Sequence, residues 1–145
     1  MATTYSGAKV ASTVQARAGI DITTVWAIYE VAVALVIDDI IQMVKVPSGA
    51  TVTELVLSVD DLDSGTAILL DVGDGDDDDR YILGSTIGQA GGTVRLGSGV
   101  VSTSGANALN YTYTAEDTID IHVDTAPSGS GVGTVAIAVT YTMQS

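Results

Sequence analysis

Six aspartates fall within nine residues in the middle of the chain, and they form its densest group of potential metal ligands. Calcium prefers carboxylate and other oxygen ligands and takes about six to eight of them. The spacing does not match an EF-hand loop, in which acids alternate ahead of a glycine and a distal glutamate. Two interpretations stand: a weak cation site, or a solvated loop tip. The aspartates are Asp71, Asp74, Asp76, Asp77, Asp78 and Asp79, and all but Asp71 are the metal candidates.

The one histidine of the sequence, His122, lies between Asp120 and Asp124 on one side of an alternating run. A histidine beside carboxylates can bind a metal or act in an acid–base pair. Catalysis would also need a nucleophile or a third ligand in a recognisable context, and the sequence has no such motif. The pattern favours a surface histidine among acids. We therefore predict a protein that is not an enzyme and that needs no cofactor.

Composition limits the partners of the chain. Its 18 acidic and 5 basic residues give a net charge of −13, which argues against nucleic acid, because binding to phosphates needs a basic surface. There are no cysteines, so disulfides and thiolate metal sites are excluded. The longest apolar run, Val25 to Ile37, contains Glu30 and is too short to cross a bilayer. We expect neither a nucleic-acid partner nor a membrane partner.

Two alternating runs near the C-terminus must position the histidine and its neighbouring acids. Ile119, Ile121 and Val123 alternate with polar residues in the first run. Apolar and small or polar residues likewise alternate from Thr134 to Thr142. Alternate side chains of a strand point to opposite faces, so each run predicts a strand with one apolar face. The Pro- and Gly-containing linker 126–131 cannot continue a strand.

The remainder of the chain repeats this pattern, with eight or nine short strands separated by Gly, Asp and Ser turns. The fold class that follows is all-β: an antiparallel β-sandwich, jelly-roll-like, formed by residues 22–145. The segment from Ile22 to Val36, which contains Trp26, is rich in β-branched residues. Its alternation is weak, and we predict a strand with both faces covered.

Residues 1–21 differ in character and predict an extended N-terminal arm. They are small and polar, and Lys9 and Arg17 are their only charges before Asp21. One interpretation is a disordered tail; the other is an arm that becomes ordered on a partner. In the second case, we expect its apolar and basic side chains to bind that partner. These residues are Tyr5, Lys9, Val10, Val14 and Arg17.

The last run carries a face of small residues that includes Ala136 and Ala138. Such a face contacts either a neighbouring subunit or another part of the same chain. Together with the doubly apolar strand from Val25 to Val36, it leaves more apolar surface than one sandwich needs. We predict a homo-oligomer, most simply a homotrimer, with Ala136 and Ala138 in the subunit interface.

The chain resembles the capsid decoration, or cement, proteins of tailed bacteriophages. The resemblance lies in the small-residue arm ahead of an acidic β-domain, and in the stretches 40–52 and 60–67. It covers most of the chain but includes no signature motif. It implies a jelly-roll trimer on the outer capsid surface of the virion, which holds adjacent subunits of the major capsid protein together. The alternative is a carbohydrate- or receptor-binding module of a phage fibre or spike, which typically exposes Trp or Tyr beside loop carboxylates.

Overall fold

The computed structural model describes residues 2–6, 22–96, 108 and 111–143. Short strands separated by turns account for most of them, as the alternating sequence predicts. A single 3-10 turn lies at Ile87–Gln89, and no helix among these residues is long and apolar enough to cross a membrane. The strands are β1 (Thr4–Ser6), β2 (Ile22–Val31), β3 (Ile40–Val46), β4 (Ala50–Val59), β5 (Leu69–Gly73), β6 (Ile82–Ser85), β7 (Gly92–Arg95), β8 (Asp117–Thr125) and β9 (Gly133–Met143).

The strands form two sheets. The first has the order β1-β3-β8-β5-β6, and the second has the order β2-β9-β4-β7. Neighbouring strands in the described chain are antiparallel, except that β1 runs parallel to β3. The predicted all-β antiparallel sandwich is confirmed.

The two C-terminal strands, β8 and β9, lie inside different sheets and do not pair with each other. The prediction that each strand has one buried apolar face is confirmed. Ile119, Ile121 and Val123 of β8 are buried, and so are the alternating apolar residues of β9. Residues 126–132 therefore cross from one sheet to the other. The core lies between the two sheets that contain β8 and β9. Each fully buried aliphatic side chain there contributes about 1.5–3 kcal/mol to the free energy of folding.

The crossing segment is fixed by one buried carboxylate, that of Asp63. It accepts hydrogen bonds from the backbone N–H groups of Gly65, Ala67 and Ile68 in its own loop. It also accepts bonds from the N–H groups of Ser128 and Gly129 in the crossing segment. Burial acts to raise the pKa of Asp63, but these donors outweigh it and hold that pKa well below its usual range. Asp63 thereby links two loops at one end of the sandwich.

Strand β2 differs from the prediction in both length and environment. It ends at Val31, and it is an edge strand with one exposed face. The exposed fractions of Ile22, Trp26 and Ile28 are 72%, 53% and 41%. The prediction of a strand covered on both faces is therefore wrong for the described chain. Apolar residues on both faces hid the alternation, and a sequence does not reveal whether another molecule covers an apolar face.

Part of the predicted N-terminal arm belongs to the sandwich. Residues Thr4–Ser6 form β1, in which Tyr5 pairs with Ile41 of β3. The Tyr5 ring is half-buried, and its centroid lies 5.6 Å from that of Tyr29 on β2. The side chain of Tyr5 thus packs between the edges of the two sheets. Residues 7–21 lie outside the described part of the chain.

Candidate functional site

The acidic loop, residues 74–80, folds back over the end of β5. A Cβ atom on Gly73 would lie 2.0 Å from the carbonyl oxygen of Asp77, so only glycine permits this approach. The loop is closed by a hydrogen bond of 2.9 Å from the N–H of Asp74 to the same carbonyl. The Asp74 carboxylate accepts further bonds from the N–H groups of Asp76 and Asp77. The loop is therefore ordered around Asp74, which is itself buried.

A buried arginine supplies the positive charge that relieves repulsion in this loop. Nε and Nη2 of Arg80 donate to the two carboxylate oxygens of Asp74, at 2.6 and 3.2 Å. The guanidinium also stacks on the ring of Tyr111, with 3.6 Å from Cζ to the ring centroid. The side chain of Arg80 is 9% exposed and that of Asp74 is fully buried. An internal cation thus occupies the position that a metal would need in order to use Asp74.

Two buried tyrosines extend this network into the core. The hydroxyl of Tyr113 donates to Asp74 at 2.8 Å and lies 2.6 Å from the hydroxyl of Tyr81. Burial raises the pKa of both tyrosines, so both stay neutral at physiological pH. The set Arg80, Asp74, Tyr113 and Tyr81 is a fully hydrogen-bonded chain, which is the condition for a buried polar network to stabilise a fold.

Three of the predicted metal candidates lie together outside this network. Oxygen atoms of Asp77, Asp78 and Asp79 come within 4.8 Å of one another. A hydrogen bond with Asp77, together with burial, raises the pKa of Asp79 to about 6. Asp76 is exposed, and Asp74 is held by Arg80. The residues available to a cation are therefore three aspartates on one turn, fewer oxygens than calcium prefers unless water completes the set.

His122 lies among acids, as predicted, but these acids are not its neighbours along the strand, and the prediction of a surface position is wrong. Its Nδ1 atom is 3.6 Å from Asp71 and 3.7 Å from Asp78, and its Nε2 atom is 3.7 Å from Asp38. These carboxylates come from β5, the acidic loop and the β2–β3 turn. The side chain is 15% exposed. His122 therefore lies beneath loops, at distances that exceed those of direct hydrogen bonds.

The outer side of β8 also carries a buried carboxylate, that of Asp120. Among the described residues, its Oδ1 atom has no hydrogen-bond partner. Burial raises the pKa of Asp120 to about 7, and the charges of Asp117 and Asp74 act in the same direction. Asp120 pairs with Gly73, the last residue of β5, which directly precedes the acidic loop. The alternation of the sequence predicts an exposed Asp120, because it shares the polar side of the strand with His122, and this prediction is wrong.

The predicted interface residues lie on the outer face of the second sheet. Ala136 and Ala138 of β9 are flanked there by Ile28 and Trp26 of β2, their register partners. Val56 of β4 pairs with Ala138 from the other side. These residues line a shallow apolar groove. The structure therefore brings Trp26 and the small residues of β9 onto one exposed surface.

The predicted partner-binding residues of the N-terminus are divided by the structure. Tyr5 is part of β1, and its ring contacts Tyr29. Lys9, Val10, Val14 and Arg17 lie outside the described residues. Two functional features escaped the sequence analysis: the role of Arg80 and the exposure of Trp26. Arg80 had a visible signal, since it is a lone base that follows a run of acids.

A scan against models of known protein families found no match, and a search of curated proteins found none either. Solved structures do match. A chain in the capsid of Ralstonia phage GP4 is 25% identical, with a TM-score of 0.76, over 98% of this chain and 99% of that chain. A chain in the cyanophage Pam1 capsid asymmetric unit is 26% identical, with a TM-score of 0.73, over 92% of each chain.

A third structure is more distant. A chain in the acidic stable capsid structure of Helicobacter pylori bacteriophage KHP30 has a TM-score of 0.60 at 17% identity, over 86% of this chain and 89% of that chain. That likeness shows the fold alone. The first two cover nearly the whole of both chains. They support a phage capsid-related protein with a structural role in the virion.

Proposed function

We propose that the protein is a decoration, or cement, protein that binds the outside of a phage capsid and bridges subunits of the major capsid protein. The observation that carries the proposal is the likeness, over nearly the full chain, to chains of two phage capsids. A chain of 145 residues that forms a small sandwich suits an accessory position on a shell. The role is mechanical and requires no catalytic residue.

The distribution of charge supports an outer position. The net charge of −13 disfavours contact with packaged DNA, because like charges repel. On the outer side of the first sheet, the exposed carboxylates of Asp38 and Asp78 lie beside His122. We infer that this acidic side faces solvent.

Attachment is proposed to use the N-terminal segment. Lys9 and Arg17 give it a charge opposite to that of the body, and Val10 and Val14 offer apolar contact. Exposed ion pairs contribute about 0–1 kcal/mol each, so apolar contact should dominate. Because Tyr5 packs on Tyr29, the segment starts from a fixed point on the sandwich. We therefore place Tyr5 at the base of the attachment, where it orients the residues that follow.

The proposed assembly is a homotrimer, with Ala136 and Ala138 in the subunit interface. The support is the exposed apolar surface around them, which includes Trp26 and Ile28. Apolar patches of this kind on soluble proteins mark interaction sites. A trimer would present three N-terminal segments to the shell, and linked binding events strengthen one another.

Binding to undecorated capsids tests the proposal. Purified protein is mixed with shells that lack it, and occupancy is measured after sedimentation. We expect saturable binding by the native chain and strongly reduced occupancy when Val10 and Val14 are replaced by serine. Lys9→Ala with Arg17→Ala should cause a smaller loss. Thr114→Ser, at an exposed site on the sandwich, is the matched control.

The possible outcomes separate the interpretations. Undiminished occupancy by the valine variant would place the docking surface on the sandwich and make the N-terminal segment a plain tail. Absence of binding by the native chain would contradict the decoration role.

A glycan- or receptor-binding module is the second candidate, and the exposure of Trp26 favours it. Exposed aromatic rings commonly contact sugars, and Trp26 is the single tryptophan of the chain, so its fluorescence would report binding directly. Glu30 and Glu54 lie on the same sheet. Saturable quenching by host surface polysaccharide, without capsid binding, would favour this function.

A further inference from the structure

The buried carboxylate of Asp39 lies in the turn that leads into β3. The N–H of Asp39 donates to the carbonyl of Val36 at 3.1 Å, and the Oδ2 atom of Asp39 accepts a bond of 2.9 Å from the N–H of Val36. The carbonyl of Asp39 accepts a further bond of 2.9 Å from the N–H of Val123 in β8. Asp39 is therefore held in place by its own turn and by the central strand of the first sheet.

The other carboxylate oxygen of Asp39, Oδ1, holds the N-terminal residues of the chain. It accepts a hydrogen bond of 2.8 Å from the N–H of Thr3. The carbonyl of Thr3 accepts a bond of 3.0 Å from the N–H of Ile40, the first residue of β3. Thr3 thus bonds to two consecutive residues, and β1 begins directly after it. These bonds fix one end of β1.

β1 needs such a fixed point because it is short and lies at an edge. The first residues of a chain are poorly ordered unless they are tied down. β1 is the edge strand of the first sheet and pairs with β3 over three residue pairs, and the Tyr5 ring packs on Tyr29. Hydrogen bonds to a carboxylate are among the stronger hydrogen bonds in proteins. Without the bond from Thr3 to Asp39, we expect β1 to separate from the sandwich.

The attachment of β1 determines how residues 7–21 are connected to the sandwich. They follow Ser6 at the edge of the first sheet and precede Ile22, where β2 begins at the edge of the second sheet. With β1 in place, this segment is tied to the sandwich at both ends. With β1 detached, it becomes part of a tail that is tied at one end. A segment fixed at both ends has fewer conformations to lose when a partner orders it, so it binds more tightly.

We propose that Asp39 is a positioning residue for attachment to the capsid: it holds β1 on the sandwich and thereby keeps both ends of residues 7–21 fixed. The inference rests on the proposed function and deepens it, because it names the residue that prepares the N-terminal segment for binding. Asp39 itself is buried, so it acts through its bond to Thr3.

Two substitutions separate this role from a purely structural one. Asp39→Ala removes the carboxylate and with it the bonds from both Thr3 and Val36. Thr3→Pro removes only the N–H that donates to Oδ1, because proline has no backbone N–H, and it leaves the bond from Val36 intact. Thr3 is exposed, so the sandwich should stay folded, and thermal unfolding checks that it does. Ala2→Pro, at the preceding exposed position, is the matched control.

Hydrogen exchange in the free protein is the first measurement. In Thr3→Pro, the amide of Ile40, which donates to Thr3, should exchange at least about tenfold faster, as expected for loss of a hydrogen bond to a carboxylate. The amide of Val123 should keep its native protection, and Ala2→Pro should exchange like the native chain. Unchanged exchange at Ile40 in both Thr3→Pro and Asp39→Ala would show that Asp39 does not hold β1, and it would overturn the proposal.

Affinity for undecorated shells is the second measurement. Thr3→Pro and Asp39→Ala should each weaken binding about tenfold, and the double variant should bind about as well as either one. Two substitutions that break the same bond do not add, whereas substitutions that act independently do. Additive losses would therefore show that Asp39 affects binding through the fold and not through Thr3, which would overturn the positioning role.

The failure of this inference and that of the proposed function are distinguishable. Native affinity of the double variant, together with fast exchange at Ile40, would overturn the positioning role of Asp39 and leave the decoration role standing. A native chain that leaves shells unoccupied would overturn the decoration role, and the attachment role of Asp39 with it, whatever the exchange at Ile40.

Discussion

The guanidinium of Arg80 and the carboxylate of Asp74 form a two-point buried ion pair, at 2.6 and 3.2 Å. Arg80 lies at the end of the acidic loop and Asp74 at its beginning, so this pair closes the loop. Tyr113 adds a third bond to Asp74, and Tyr111 stacks on the guanidinium. The most acidic segment of the chain is thus held by a cation from the same segment.

Arg80→Met should destabilise the protein by about 3–5 kcal/mol, because it leaves the buried charge of Asp74 without its partner. Chemical denaturation at neutral pH measures the change. Lys45→Met is the control: Lys45 also pairs with an acid, Glu116, but both side chains are exposed, and such pairs contribute about 0–1 kcal/mol. Equal effects of the two substitutions would contradict the structural role of Arg80.

Asp120→Asn should stabilise the protein at about pH 8 by about 1–3 kcal/mol, the cost of a buried carboxylate whose Oδ1 atom has no hydrogen-bond partner among the described residues. In the folded chain, the pKa of Asp120 is raised to about 7. As the pH rises from about 4 to 7, the unfolded chain releases this proton first, so the native protein loses stability over that window.

The advantage of Asp120→Asn should therefore shrink as the pH is lowered and vanish near about pH 4, where the carboxyl is protonated in both states. Unfolding free energies measured across this range give the difference between native chain and variant. Asp124→Asn, on the same strand at an exposed site, controls for removal of one charge. A variant less stable than the native chain at about pH 8 would show that Asp120 has a partner that stabilises its charge.

Asp63→Asn should lower stability at neutral pH, because the amide replaces a carboxylate that accepts five backbone hydrogen bonds. The pKa of Asp63 is held low in the folded state. Its contribution is present above the pKa of the unfolded chain and is lost as the pH falls toward the folded pKa. The difference from the native chain should therefore narrow in acid. If Asp63→Asn lowers the free energy of unfolding no more than Asp76→Asn, a substitution at an exposed site, Asp63 does not anchor the two loops.

Calcium should have little effect on stability. Asp74 is occupied by Arg80, which leaves Asp77, Asp78 and Asp79 as the grouped ligands. A site half-filled at millimolar calcium would add about 0.4 kcal/mol to the free energy of unfolding. Thermal unfolding with calcium, and with magnesium for comparison, is the measurement. A large shift at micromolar calcium would reveal a specific site.

The strands could be predicted from the sequence, because a strand with one buried face has apolar residues at alternate positions. Ile119, Ile121 and Val123 follow this alternation and are buried. The pairing of strands was not readable: β8 and β9 are consecutive yet lie in different sheets. Strand partners depend on contacts between residues far apart in the chain, and local alternation contains no information about them.

The hydrogen bonds of Asp63 also determine where β5 begins. The apolar run of the sequence begins at Ala67, whereas β5 begins at Leu69. The reason is Asp63, which binds the N–H groups of Ala67 and Ile68 and so removes them from a ladder. Such competition between a side chain and the backbone ladder is set by loop geometry and is not visible in alternation.

The candidate site was the least predictable part. The acids of the loop were evident, but the rings of Tyr111 and Tyr113 come from more than thirty residues further along the chain. The exposure of Trp26 was also not predicted. The sequence of an apolar strand is the same whether its second face packs on the core of its own chain or on another molecule. Sequence patterns report apolar character, and burial depends on the assembled surface.

A cryo-electron microscopy map of shells incubated with the protein tests the decoration role most directly. The predicted result is density for the sandwich on the outer surface, with its N-terminal segment extended across the junction of adjacent major capsid subunits and its acidic loop toward solvent. Density confined to the inner surface or to a fibre or spike, or shells without added density at saturating protein, would contradict the role.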